Sequence, residues 1–389
     1  MAESHKGLFD HPLLGYGFRP FFLLGALYSV ISLLIWGGFY AGHVTPPVFM
    51  MDPVSWHAHE MIYGFTLAIV AGFLLTAVSN WTDSPPTQKL HLAGLCMLWL
   101  VGRVVMNFNL SLPDSVILVC EGAFIPALAL TLAIPLFKDW NKRNFIFLIL
   151  LSILFACDMA FIISKDRTSL YVAVMVIISM ISLIGGRIIP AFTVDALEER
   201  GEKADETSQT MLDVLAILSL ASIALILLFA AQEKHVLAIT AFLSAIIHTL
   251  RLRYYHTRRI LNISMVWILH LGYSWLILGL LLLGGSALGI LPFSIALHAF
   301  TAGAIGSMTL GMMCRVTLGH TGRSKVATKL TTLSFVLVQC AALMRVFGLV
   351  IAPSYSIGWI ISSAILWAFA FALFVVGYAP MLSKPALDE

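Results

Sequence analysis

Trp56-His57-Ala58-His59-Glu60 runs without a break into Met61 to Val78, a stretch that carries no charge. A hydrocarbon core takes about 20 apolar residues per helix, so this segment reads as a membrane helix with two imidazoles and a carboxylate at its mouth. Ionisable groups inside a bilayer are costly, and they usually pair with something or bind something. A helix turns about 100° per residue, so positions two apart diverge by roughly 200°. His57 and His59 therefore do not grip one metal from an unbroken helix. They serve two centres, or one binds while the other only hydrogen-bonds. The plain alternative is two polar residues in a wet helix end.

The same reading extends along the chain. Of 389 residues, 60% are hydrophobic and only 11% charged, against about 25% charged in soluble proteins. The expected fold is an all-α integral membrane protein, a bundle of about twelve transmembrane helices. The spans fall near Phe21–Gly42, Trp56–Asn80, Leu90–Phe108, Ser115–Phe137, Phe145–Ser164 and Leu170–Val194. The second six fall near Met211–Ala231, His235–Arg253, Ile263–Leu288, Phe293–Arg315, Leu330–Val350 and Tyr355–Tyr378. Residues 1–20 form an N-terminal tail, 21–381 a single transmembrane domain and 382–389 a C-terminal tail. A polar inner loop, residues 195–213, separates two halves of six. The first apolar run is long enough to span, so no cleavable signal is expected.

Lys and Arg set the orientation. With the N-terminus inside, 17 of them fall in inner segments, and only Lys165, Arg167 and Lys234 fall outside. Arg103, Arg187 and Arg345 lie within spans. Both termini are therefore expected in the cytoplasm. The net charge of +3, with no long basic block, speaks against nucleic acid as a partner. The five cysteines form no CxxC pair, so neither a structural disulfide nor a thiolate zinc site is expected.

This topology sorts the histidines by depth. His57, His59 and His298 enter from the outer face, His298 roughly 8 Å down. His248, His270 and His320 form an inner group, with His270 about 12 Å from the inner face. His5, His11, His43 and His256 read as solvated. Imidazole binds haem iron and copper alike. No Cys-x-x-Cys-His occurs, so any haem is a non-covalent haem b. The tenth span offers Ala299, Gly303, Ala304, Gly306 and Ser307, small enough either to admit a flat ring or to pack helices closely. Candidate cations for haem propionates are Arg19, Arg103, Arg187, Arg315 and Arg323. Arg103 and Arg187 are the more informative, each following a glycine (Gly102, Gly186) in an apolar run, with snorkelling at helix ends as their plain alternative. Met308, Met312, Met313 and Cys314 are either soft copper ligands or packing. Asp158, inside the fifth span, is a candidate for a polar network, with no partner nameable from sequence.

Several motifs together resemble one family. They are Gly17-Phe18-Arg19-Pro20-Phe21-Phe22, Trp56-His57-Ala58-His59-Glu60, Ala71-Gly72-Phe73-Leu74-Leu75-Thr76-Ala77 and Asn80-Trp81-Thr82. Later come Gly186-Arg187-Ile188-Ile189-Pro190-Ala191-Phe192-Thr193, then Leu297-His298-Ala299-Phe300 through Gly303, Gly306, Met308 and Thr309. Arg315-Val316-Thr317-Leu318-Gly319-His320-Thr321-Gly322-Arg323 closes the set. From about residue 13 to the twelfth span, the chain resembles the NnrS family of bacterial inner-membrane proteins. The resemblance implies a twelve-helix protein containing haem and copper, linked to denitrification and to tolerance of nitric oxide. Comparison with haem–copper oxidases is an analogy of fold only. Their paired His-His for copper does not occur here.

The leading reading is thus a haem- and copper-binding membrane protein that binds or reduces nitric oxide, its electron donor not indicated. A secondary transporter using intramembrane His and Arg is the alternative, and a metal-delivery factor without turnover is a third reading. If the second and tenth helices are neighbours, His59 and His298 are the expected axial pair for one iron. His57 is then left for copper, and Glu60 is placed to orient an imidazole or pass a proton. His270, with His248 or His320, would serve an inner haem or metal.

Overall fold

The computed structural model describes residues 7–387, so His5, Lys6 and Glu389 lie outside the described residues. Among the described residues the chain is helical without strands, and 12 helices are long and apolar enough to cross a membrane. The first six are α1 (Phe18–Tyr40), α2 (Pro53–Thr82), α3 (Lys89–Asn107), α4 (Asp114–Lys138), α5 (Lys142–Ser164) and α6 (Thr168–Glu198). The others are α7 (Thr210–Phe229), α8 (Lys234–Leu252), α9 (Ser264–Ala287), α10 (Phe293–Gly319), α11 (Lys329–Ile351) and α12 (Pro353–Leu382).

Two compact units divide the chain. The first takes the residues up to Leu170, Arg315–Ser324 and those from Phe371 on; the second takes Tyr171–Cys314 and Lys325–Ala370. The first boundary between them along the chain falls at Leu170. Helix α6 runs on to Glu198, further than charge alone suggests. Ala196 and Leu197 hold it there by packing against Ile260 and Val266.

Local chemistry explains the ends of α2. Asp52 caps it, its Oδ1 accepting from the amides of Val54 at 3.0 Å and Ser55 at 3.2 Å. Pro53, which has no amide proton to leave unsatisfied, opens the helix. Asp83, at φ 46°, ends it in a left-handed turn. Trp81 near this end stacks on Phe147, and its carbonyl accepts from Asn141 Nδ2 at 2.7 Å, so the Asn80-Trp81-Thr82 motif ties α2 to α5.

Among the described residues, three helices contain π-helical turns. One, Met344–Gly348, lies in α11. The other two are Glu60–Thr66 in α2 and Ala299–Ile305 in α10. Each of these two begins at the residue after a histidine singled out in the sequence, His59 and His298. Such wide turns add a residue to a helical turn, re-aim the side chains that follow, and concentrate at functional sites.

Candidate functional site

His59 is the last residue of the regular first turns of α2. Its side chain enters a cluster built from four helices of the first unit. Glu60 comes from α2, Arg103 from α3, Glu121 from α4 and Asp158 from α5. Each lies four to seven residues from the end of its span, roughly 6–11 Å by helix rise. The starts of α2 and α4 and the ends of α3 and α5 share one side, because short loops alternate the helix direction. None of the five residues is more than 6% exposed.

The imidazole is held at both nitrogens. Nδ1 lies 2.8 Å from Glu60 Oε1, and Nε2 lies 2.9 Å from Asp158 Oδ1. Glu121 Oε1 is 3.7 Å from the same Nε2. Arg103 donates one guanidinium nitrogen to Glu60 Oε2 at 2.7 Å and the other to Glu121 Oε1. Tyr28 donates its hydroxyl to Glu60, and Asn107 Nδ2 donates to Tyr28 Oη at 2.9 Å and to Glu60 Oε2 at 3.1 Å. Trp56 in turn donates to Asn107 Oδ1 at 3.0 Å. Glu121 Oε2 has no hydrogen-bond partner though it is buried. It lies over Gly102, where a Cβ would come within 2.6 Å of it. The glycine preceding Arg103 thus makes room for the carboxylate that Arg103 binds.

One ligand atom each from His59, Glu121 and Asp158 fall within 4.8 Å of one another. Imidazole nitrogen with two carboxylate oxygens is a donor set that holds divalent metal ions. Glu60 against Nδ1 supplies the carboxylate that fixes a metal-binding imidazole. Asp158, unpartnered in the sequence reading, thus acquires a partner. Glu121 escaped that reading altogether. Its one signal was a carboxylate inside an apolar run, between Cys120 and Gly122.

The remaining candidates fall elsewhere. His57 stacks flat on Trp36, ring centres 4.3 Å apart at 7°, and so faces away from His59. His298 lies in the second unit. Its Nδ1 is 2.6 Å from the Ser294 carbonyl oxygen, so Nδ1 carries the proton and Nε2 is the basic nitrogen. His270 Nε2 meets Thr193 Oγ1 at 2.9 Å, and its Nδ1 meets Thr257 Oγ1 at 3.0 Å. Thr193 spends its own proton on the Ile189 carbonyl, so His270 donates from Nε2. His248 Nδ1 lies 2.8 Å from Tyr273 Oη. Ring contacts run from His248 through Tyr273 and Tyr255 to His270, so two tyrosines link the inner histidines. His320 belongs to the first unit and packs against Tyr16 and Phe18.

The arginines divide similarly. Arg19, 1% exposed, donates to the carbonyls of Leu382 and Lys384 and ties the start of α1 to the end of α12. Arg103 serves the carboxylates described above. Arg323 donates to the Thr321 carbonyl at 3.0 Å, and Arg315 is buried near the end of α10. Arg187 is half-buried in α6. The glycine before it, Gly186, seats Arg251, whose Nη2 would be 1.6 Å from a Cβ there. Arg251 binds Asp213, Ser182 and Tyr273.

The small residues of α10 are filled by the protein itself. A Cβ at Gly303 would meet Trp275 at 2.4 Å, and one at Gly306 would meet Trp367 at 2.5 Å. Of the two roles open for these residues, close helix packing is met at Gly303 and Gly306, where Trp275 and Trp367 lie against the glycines. Met308 likewise packs on Gly272.

Comparison with known proteins adds one finding. A family model described as NnrS protein matches residues 12–386, nearly the whole chain. Among curated proteins none matches.

Proposed function

The chain belongs to the NnrS family, and from that premise we propose that it is a membrane metalloprotein of the nitric-oxide response. Its cofactors on this reading are haem b and copper, and its small-molecule partner is nitric oxide, bound or reduced at a haem–metal site. Its place is the bacterial inner membrane, with both termini in the cytoplasm.

The observation that carries the metal reading is the 2.9 Å separation of His59 Nε2 and Asp158 Oδ1. When Nδ1 donates its proton to Glu60, Nε2 presents a lone pair. A carboxylate oxygen facing that lone pair at hydrogen-bond distance needs a proton or a cation between them. Ligands at right angles around a metal, with bonds of about 2.1 Å, stand about 3 Å apart, which matches this pair. The unpartnered Glu121 Oε2 is a further donor on the same carboxyl. The geometry favours a small ion at His59 over the haem ring expected from pairing with His298. As a haem ligand, His59 would have to give up Asp158 and open a cluster whose members are at most 6% exposed. A metal held by three protein ligands keeps a coordination position open for a small molecule.

The chain's own residues then have distinct tasks. Glu60 orients the imidazole, Tyr28 and Asn107 fix Glu60, and Arg103 spaces Glu60 from Glu121. The surrounding rings of Tyr63 and Phe161, 5.0 and 5.7 Å from His59, keep water away.

Elemental analysis and an optical spectrum of the purified protein test this reading. The expected result is an acid-acetone-extractable haem together with metal in excess of haem iron. A protein made with adequate iron and copper that shows no Soret band and no metal overturns it.

A further inference from the structure

The cluster around His59 carries a charge imbalance that bears on which ion it takes. Three carboxylates, Glu60, Glu121 and Asp158, face one guanidinium, Arg103. Tyr28 and Asn107 contribute hydrogen bonds, and an imidazole that binds metal is neutral. Two negative charges are left in a site whose ionisable members are at most 6% exposed, within the span of four membrane helices. Uncompensated charge at such a place is strongly unfavourable. Without metal, a proton on the imidazole and one on a carboxyl cancel it; with the imidazole neutral and bound to metal, a divalent cation does. A monovalent ion leaves one negative charge.

The donor atoms point the same way. One imidazole nitrogen and two carboxylate oxygens converge, and no cysteine sulfur joins the group. Cys157 precedes Asp158 in α5 but is not among the converging atoms, and Met159 turns its sulfur onto Gly122. Cuprous copper selects thiolate and thioether ligands, whereas carboxylates suit harder divalent ions and imidazole suits iron and zinc. The carboxyl of Glu121 also keeps one buried oxygen without a hydrogen-bond partner, able to raise the coordination number by binding through both oxygens.

We propose that the His59–Glu121–Asp158 site takes a divalent ion of the iron(II), manganese(II) and zinc(II) class and excludes copper(I). The copper expected of the family is then held by other residues. This rests on the metal reading given above.

The test is anaerobic metal competition on the full-length protein in detergent. Metal is first stripped with a chelator. Separate samples are dialysed under reductant against iron(II), manganese(II), zinc(II) or copper(I), buffered to equal free concentrations, and bound metal is counted. The expected result is about one equivalent of divalent ion per chain, lost by at least tenfold in Asp158→Asn and in Glu121→Gln. Copper(I) uptake is expected to be the same in these variants as in the parent chain. Copper(I) uptake that falls in both variants, with no divalent ion bound, overturns the proposal but leaves a metal centre at His59. Divalent uptake unaffected by either variant, or no uptake of any of the four ions, overturns the metal centre itself. The comparison of ions on the parent chain needs no variant, so it holds even where a substitution impairs folding.

Discussion

His59 Nε2 and Asp158 Oδ1 lie 2.9 Å apart and buried, although 99 residues separate them in the chain. That contact closes the cluster. Glu60 and Arg103 reach it from α2 and α3, but the contact between α2 and α5 turns a row of polar residues into a pocket of converging donors.

Arg103 is the one guanidinium in the cluster, and it touches Glu60 and Glu121 at once. Replacing it by methionine leaves three buried carboxylates against one imidazole. Breaking a buried ion pair from one side costs on the order of 3–5 kcal/mol. The Arg103→Met protein should therefore melt well below the parent, and Glu121→Gln in the same chain should restore part of the loss. Equal melting of the single and double variants would show that Arg103 and Glu121 do not interact.

Helix α3 contains two glycines with opposite surroundings. A Cβ at Gly102 would come 2.6 Å from Glu121 Oε2, whereas one at Gly94 meets nothing within 4 Å. Gly102→Ala should destabilise by roughly 1–3 kcal/mol, the cost of overpacking. Gly94→Ala should be neutral or stabilise by up to about 1 kcal/mol through helix propensity. Thermal melting of the two variants side by side checks the close approach of α3 and α4.

Asp52, just ahead of α2, gives a pH dependence whose sign is fixed. Burial pushes its carboxyl up, but the hydrogen bonds of Ser55 and Arg167 and the Arg167 charge outweigh it and hold the value at about 2, against an ordinary 3.8. The folded chain thus binds this proton less readily than the unfolded chain. The contribution is full above the ordinary value and is lost as pH falls through the folded one. The melting difference between the parent and Asp52→Ala should therefore shrink as pH is lowered from about 5 to about 2. A difference that grows over this range would contradict the assignment.

On the bias of Lys and Arg, both termini are expected in the cytoplasm. A reporter active only in the periplasm, fused after the C-terminus, should stay silent, and the same reporter fused between α1 and α2 should be active. The reverse pattern would put the His59 cluster near the opposite face of the membrane.

The helices were legible because about 20 apolar residues in a row have one explanation in water. His59 and Asp158 were legible as oddities for the same reason, being costly where they stand. Their meeting was not, since hydropathy along a chain says nothing about which helices are neighbours. Glu121 was overlooked among apolar residues of α4, and its seat on Gly102 exists only between helices. The wide turns after His59 and His298 were equally hidden. Regular winding at 100° per residue gives the divergence of His57 and His59, but it fails from Glu60 onward. The small residues of α10 carried two readings in the sequence. Trp275 and Trp367, from α9 and α12, lie against Gly303 and Gly306.

The central claim is that His59, Glu121 and Asp158 hold a metal ion together. Its most direct test is the ratio of non-haem metal to protein in purified Asp158→Asn and in the parent chain. The substitution keeps the shape of the side chain and removes its charge. The account predicts about one equivalent in the parent beyond any haem iron and beyond metal shared by both proteins, and its loss in the variant with haem content unchanged. An Asp158→Asn protein that folds and retains the full complement of metal would contradict it.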